Sequence, residues 1–113
     1  MNKKRFEVWL ADLNPQIGSE SGKVRPVVIV QTDLLNKTHP STIICPITTQ
    51  VEQKSEILRV HLKDNEGGLN HKSDILVDQL RAIDNKRFIK KLGVISSESQ
   101  NKLEANIHTV LDL

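Results

Sequence analysis

The chain is 113 residues long, enough for one domain with a single buried core and too short for two. Hydrophobic residues make up 37% and charged residues 27%, which excludes a disordered chain, and the net charge of +2 is too small to mark a duplex-binding module. The one cysteine, Cys45, excludes an intrachain disulfide framework and a thiolate metal site.

The N-terminus, MNKKRFEVW, is basic but lacks a following apolar stretch, so it does not read as a secretory signal. No apolar run approaches the roughly 18 residues that span a membrane. A cytoplasmic protein is expected. Aromatic residues are scarce, with Phe6, Trp9 and Phe88 only, so the core must be built from Val, Ile and Leu.

Residues 6–13 (FEVWLADL) alternate as a first strand, and Asn14-Pro15 ends it. Trp9, an isolated aromatic on that strand, reads as core rather than as a base-stacking platform. After a polar loop, residues 27–30 are apolar at every position, which fits a strand buried on both faces. Residues 32–37 (TDLLNK) give one or two helical turns before His39-Pro40. Residues 42–47 are again rich in β-branched side chains, and Cys45 among them reads as a buried, inert thiol.

Residues 57–63 (ILRVHLK) alternate, with Leu58, Val60 and Leu62 expected inward and Arg59, His61 and Lys63 outward. Gly67-Gly68 marks a turn, and strands are expected at 75–77 and 88–95. The final segment changes period: Ser97 and Gln100 have capping-box spacing, and Leu103, Ile107, Val110 and Leu111 form a helical stripe. The pattern is mainly β, a small bent antiparallel barrel closed by a C-terminal amphipathic helix. Basic residues cluster at Lys3–Arg5 and between Arg81 and Lys91, and a solvated face is the plainer reading of either cluster.

The segment GSESGKVRPVVIV (18–30) carries the functional question. It is not a phosphate-binding P-loop: three residues separate Gly18 from Gly22, Val24 replaces the magnesium-binding hydroxyl, and a strand follows instead of a helix. Arg25 precedes Pro26, which holds it extended at the start of an apolar strand. A guanidinium so placed can grip a phosphate through two parallel hydrogen bonds. It can equally form a surface ion pair, with Glu20 the nearest acidic partner, and the residues alone leave both open.

Four blocks together decide more. FEVWLADLNPQIG, GSESGKVRPVVIV, PITT (46–49) and DQLRAID (78–84) come in an order and spacing that resemble the MazF/PemK toxin endoribonucleases, over nearly the whole chain. The resemblance implies a single SH3-like barrel over residues 1–113 of the kind shared by CcdB and PemK toxins, a homodimer, and metal-independent cleavage of single-stranded RNA without a cofactor. It implies inhibition by a cognate antitoxin whose disordered acidic tail covers the active surface.

By the same resemblance Arg25 and Thr48 carry the chemistry, and the Ser19-Glu20 pair matches residues linked to substrate handling or catalysis in some members. Glu20 is the preferred general base, and Ser19, Lys23, Gln50 and Gln79 are the candidate substrate-binding residues, with a solvated loop the equal alternative for Gln50. Some family members use an aspartate and an arginine two residues apart on a later strand. Asp78 matches the aspartate, but Leu76 stands where the arginine would be, which leaves Asp78 and Gln79 at a sheet edge or against a base. His39, His61, His71 and His108 fall on no family position, so a paired-histidine mechanism is disfavoured, and His61 and His108 read as surface residues. Two alternatives use the same scaffold: a CcdB-type toxin that poisons gyrase, against which the absence of a C-terminal tryptophan counts, and an inactive antitoxin-binding scaffold.

Overall fold

The computed structural model describes residues 2–113. Seven strands form the body of the fold: β1 Glu7–Asp12, β2 Val24–Ile29, β3 Ser41–Thr48, β4 Arg59–Leu62, β5 Ser73–Leu76, β6 Arg81–Asp84 and β7 Phe88–Val94. One helical turn, α1 (Asp33–Asn36), links β2 to β3, and α2 (Ser97–Leu111) ends the fold. All strand pairs are antiparallel, in the order β4-β5-β3-β2-β1-β7, with β6 pairing the first half of β3. This is the expected small antiparallel barrel with a C-terminal helix.

β3 is the hinge of this architecture. Ser41–Ile44 pair with β6, whereas Ile47 and Thr48 pair with Ile75 and Asp74 of β5. The sheet bends along β3 and encloses two cores. One gathers Val8, Val28, Val30, Cys45, Ile47, Val60, Leu62 and Ile75 beneath Leu103 of α2; the other gathers Trp9, Ala11, Val27, Ile29, Ile44, Ile83 and Phe88. The run at 27–30 is explained by this division. Val28 and Val30 face one core, Val27 and Ile29 the other, so neither side of the strand can be polar.

Trp9 lies in the core, edge-on to Phe88 with ring centroids 5.9 Å apart, and its Nε1 donates to Glu7 Oε1 at 3.0 Å. Burial with the negative charge of Asp78 nearby pushes the Cys45 thiol up to about 12, so it is inert. At Gly68 (φ +78°) a Cβ would lie 1.9 Å from the Leu92 carbonyl oxygen, so only glycine lets this turn pack directly against β7.

Several boundaries differ from the sequence reading. β6 was not expected: only Ile83 among its residues is buried, too little for an alternating pattern to show. The helix cap is Ser96, not Ser97; Ser96 Oγ accepts from the Ser99 amide, and Gln100 instead donates through Nε2 to the Ile95 carbonyl. Leu111 is half exposed, off the packed stripe. Leu58, expected inward, is 44% exposed because β4 begins only at Arg59. Much of the basic clusters is bracing rather than a solvated face. Arg87 donates to the Asp12 and Asn14 carbonyls, Lys91 pairs with Glu7 at 2.9 Å, and the Lys3 ammonium lies 5.1 Å from the Phe88 ring centroid. Among the described residues no helix is long and apolar enough to cross a membrane.

Candidate active site

The loop between β1 and β2 is pinned at its base. Leu13 N–H donates to the Lys23 carbonyl at 2.9 Å, and Lys23 N–H donates to Asn14 Oδ1 at 2.8 Å. Gly22 is pressed against Gln16, where a Cβ would come within 2.4 Å of the Gln16 Cβ. The chain then turns directly into β2, which starts with Val24 and Arg25.

Arg25 donates through Nε to the Gly22 carbonyl at 2.9 Å. Both terminal amino groups, Nη1 and Nη2, have no partner among the described residues, and none of the ion pairs there includes Arg25. The expected alternative, a surface pair with Glu20, does not form. One bond thus orients the guanidinium while its fork stays open.

Thr48 ends β3. The β2–β3 ladder ends at the pair Val27–Pro46, and Arg25 and Thr48 each lie two residues beyond it at the same end of the sheet. Thr48 Oγ1 accepts from the Gln50 amide at 3.1 Å, which fixes the oxygen and leaves its proton to be donated. Both residues line an open cleft of about 470 Å³, together with Ser19, Glu20, Lys23, Gln50 and Arg59. Six of the seven residues singled out from the sequence therefore share one cleft.

The seventh, Gln79, lies in an adjoining groove with Lys54 and Asp78, bounded by the same Ser19, Ser21, Arg59 and Leu76 that line the cleft. Its Nε2 donates to the Ser19 carbonyl at 3.4 Å, and Arg81 Nη1 donates to the Ser21 carbonyl at 3.4 Å, so both tether the loop tip. The cleft's charged lining is three cations, Lys23, Arg25 and Arg59, against Glu20.

No histidine lines the cleft. His71 borders a neighbouring pocket that shares Pro26, Ile47, Thr48 and Thr49 with the cleft. His61 is not the free surface residue the sequence indicated: its Nδ1 bonds Asp74 Oδ1 at 2.7 Å. Among the described residues no group of three or more His, Cys, Asp or Glu forms a ligand set for a metal.

A family model described as "PemK-like, MazF-like toxin of type II toxin-antitoxin system" matches residues 4–111. The chain belongs to this family. The chain is 34% identical to endoribonuclease EndoA of Bacillus subtilis over 110 residues, covering 97% of this chain and 95% of that protein. The fold matches MazF from Deinococcus radiodurans with a TM-score of 0.85 at 19% identity, over 100% of this chain and 99% of that one. It also matches a mycobacterial endoribonuclease in complex with its cognate antitoxin, with a TM-score of 0.77 at 18% identity, over 99% and 95% of the two chains. These matches lend no support to the gyrase-poisoning alternative.

Two further side chains lie outside the family-like blocks: Arg59, which lines the cleft, and the buried Asp74 bonded to it. Their signal in the sequence was faint. Arg59 stands at an outward position of an alternating strand, and Asp74 is a lone acid beside a β-branched run.

Proposed function

We propose that this PemK-like, MazF-like toxin is a metal-independent, ribosome-independent endoribonuclease that cuts single-stranded RNA at specific sequences. The observation that carries the reading is that the open Arg25 fork and the Thr48 hydroxyl line one cleft, in a chain 34% identical to an endoribonuclease.

RNA brings its own nucleophile, so the protein's task is alignment and charge stabilisation. The 2′-hydroxyl beside the scissile phosphate attacks phosphorus, and its proton passes to Glu20. The O2′–P bond forms while the P–O5′ bond breaks. The Arg25 fork holds the two non-bridging oxygens as negative charge builds, and Thr48 O–H donates to one of them. The leaving O5′ takes a proton from water in the open cleft beside Arg25, and the hydroxide left behind takes the proton held by Glu20. The products are a 2′,3′-cyclic phosphate and a 5′-hydroxyl. Ser19, Lys23, Gln50 and Gln79 contact the flanking nucleotides.

The excess of cleft cations also suits a carboxylate-rich peptide. On this reading a cognate antitoxin inhibits the enzyme by laying a disordered acidic tail over the cleft. The toxin works as a homodimer in the cytoplasm. The test is incubation of purified protein with long single-stranded RNA in excess EDTA. Discrete cuts ending in cyclic phosphate and 5′-hydroxyl are expected. Intact RNA in the presence of folded protein would overturn the enzymatic reading and favour an antitoxin-binding scaffold.

A further inference from the structure

We propose that Arg59 is a second RNA-phosphate contact in the cleft and that the buried Asp74 is the positioning residue that aims it; the inference rests on the endoribonuclease reading.

Asp74 stands in β5 directly opposite His61 of β4 on one side and Thr48 of β3 on the other. Its side chain is 0% exposed, and a carboxylate so placed must be compensated by donors. It has three: the Glu52 amide at 2.9 Å and Arg59 Nη1 at 3.0 Å on Oδ2, and His61 Nδ1 at 2.7 Å on Oδ1. Arg59 Nη1 also donates to the Gln50 carbonyl at 2.9 Å. Both hydrogens of Nη1 are therefore spent on the protein.

The rest of the guanidinium is not. Nε and Nη2 have no hydrogen-bond partner among the described residues, and the side chain stays 20% exposed. This edge presents two parallel N–H donors, the arrangement that fits two phosphate oxygens. Arg59 also lines both the Arg25–Thr48 cleft and the adjoining groove that holds Gln79. A strand of RNA running from one to the other passes this side chain, which suits it to a phosphate next to the scissile one. A residue serving only as a loop brace would need Nη1 alone. Because Asp74 also takes the Glu52 amide, the same carboxylate sets the loop that begins with Gln50, so it acts through Arg59 and that loop rather than on substrate.

The test is steady-state cleavage by wild type, R59Q and D74N across a salt series. Glutamine keeps an N–H donor for Asp74 but removes the charge and the fork. R59Q is expected to raise KM about tenfold, the scale of losing a charge-assisted contact to phosphate, with kcat changed less than about threefold. Its log KM against log salt should be shallower than wild type by up to about 0.7, one phosphate contact on a single strand. D74N should raise KM while keeping the wild-type salt slope, because Arg59 retains its charge. Wild-type KM and salt slope in folded R59Q would overturn the proposal while leaving the enzyme reading intact. A wild type that neither cuts nor binds RNA would overturn both. Should R59Q fail to fold, the Arg59 Nε–H resonance of the wild type decides: a shift on adding fully 2′-O-methylated, uncleavable RNA supports the contact, and a stationary resonance overturns it.

Discussion

At the scale of single residues, Arg25 and Arg59 show how the same side chain can be differently legible. Arg25 was readable because Pro26 fixes its backbone and the surrounding block resembles a family motif. Thr48 was readable for the same reason. Arg59 and Asp74 lie fifteen positions apart and meet only through the β4–β5 register, which leaves no spacing signature. His61 faces outward on its strand, as its place in the alternating run indicates, yet its ring is tied to the buried Asp74 across the β4–β5 ladder. The role given to Arg25 makes a sharp prediction. Its one internal bond is to the Gly22 carbonyl, so Arg25→Ala should fold with a melting temperature close to wild type. Its cleavage rate should fall by about 10²–10³, the usual loss on removing one preorganised donor from a developing oxyanion. Thr48→Val, which removes the O–H but keeps the shape, should fall on the same scale. A folded Arg25→Ala with wild-type kcat would remove Arg25 from the chemistry.

At the scale of elements, legibility followed how many apolar residues each segment contributes. β2 and β3 supply both cores and were evident; β6 contributes Ile83 alone and was not. The sequence reading puts the N-cap of α2 one residue late, at Ser97, because Ser96, Ser97 and Ser99 crowd the same turn and only the fold shows which hydroxyl accepts. Ser96 does, and it also donates through Oγ to Glu66 Oε2 at 2.9 Å, joining the helix to the turn at residues 66–68. Ser96→Ala should therefore cost about 1 kcal/mol, in the range of a lost N-cap. Leu103→Ala should cost more, about 2–5 kcal/mol, since Leu103 is fully buried and its truncation leaves a cavity. Leu111→Ala, at a half-exposed position, should stay within about 0.5 kcal/mol. Denaturant melts of the three variants check this order. Equal losses at Leu103 and Leu111 would mean that α2 packs in a different rotation.

At the scale of the molecule, carboxylates tie distant parts of the chain together, and this makes stability depend on acidity. Glu7 is buried, which by itself raises its pKa, but hydrogen bonds from Trp9, Lys91 and the Lys4 amide outweigh burial and hold it below its ordinary value of 4.5. Those bonds join β1 to β7 and to the N-terminal segment. Glu66 shows the same balance: burial raises it, while Ser99, Ser96 and the Lys63 amide lower it further, linking the 66–68 turn to α2. Asp33 is held below 3.8, chiefly by the Arg5 amide and then by Asn36. Each group is more acidic folded than unfolded, so the unfolded chain binds protons first as pH falls. The stability they contribute is complete above the unfolded values and is lost as pH drops through the lower folded ones. The melting temperature should thus be nearly flat from neutrality to about pH 5 with respect to these groups, then fall steadily below about 4.5. Glu7→Gln isolates one of them, because glutamine keeps an oxygen for Trp9 but removes the charge that meets Lys91. Its melting temperature should lie below wild type at pH 7, decline less steeply in acid, and approach the wild-type curve once Glu7 itself is protonated. Parallel curves, with the same acid slope in both proteins, would show that Glu7 contributes through its shape alone and that its ionisation is not linked to folding.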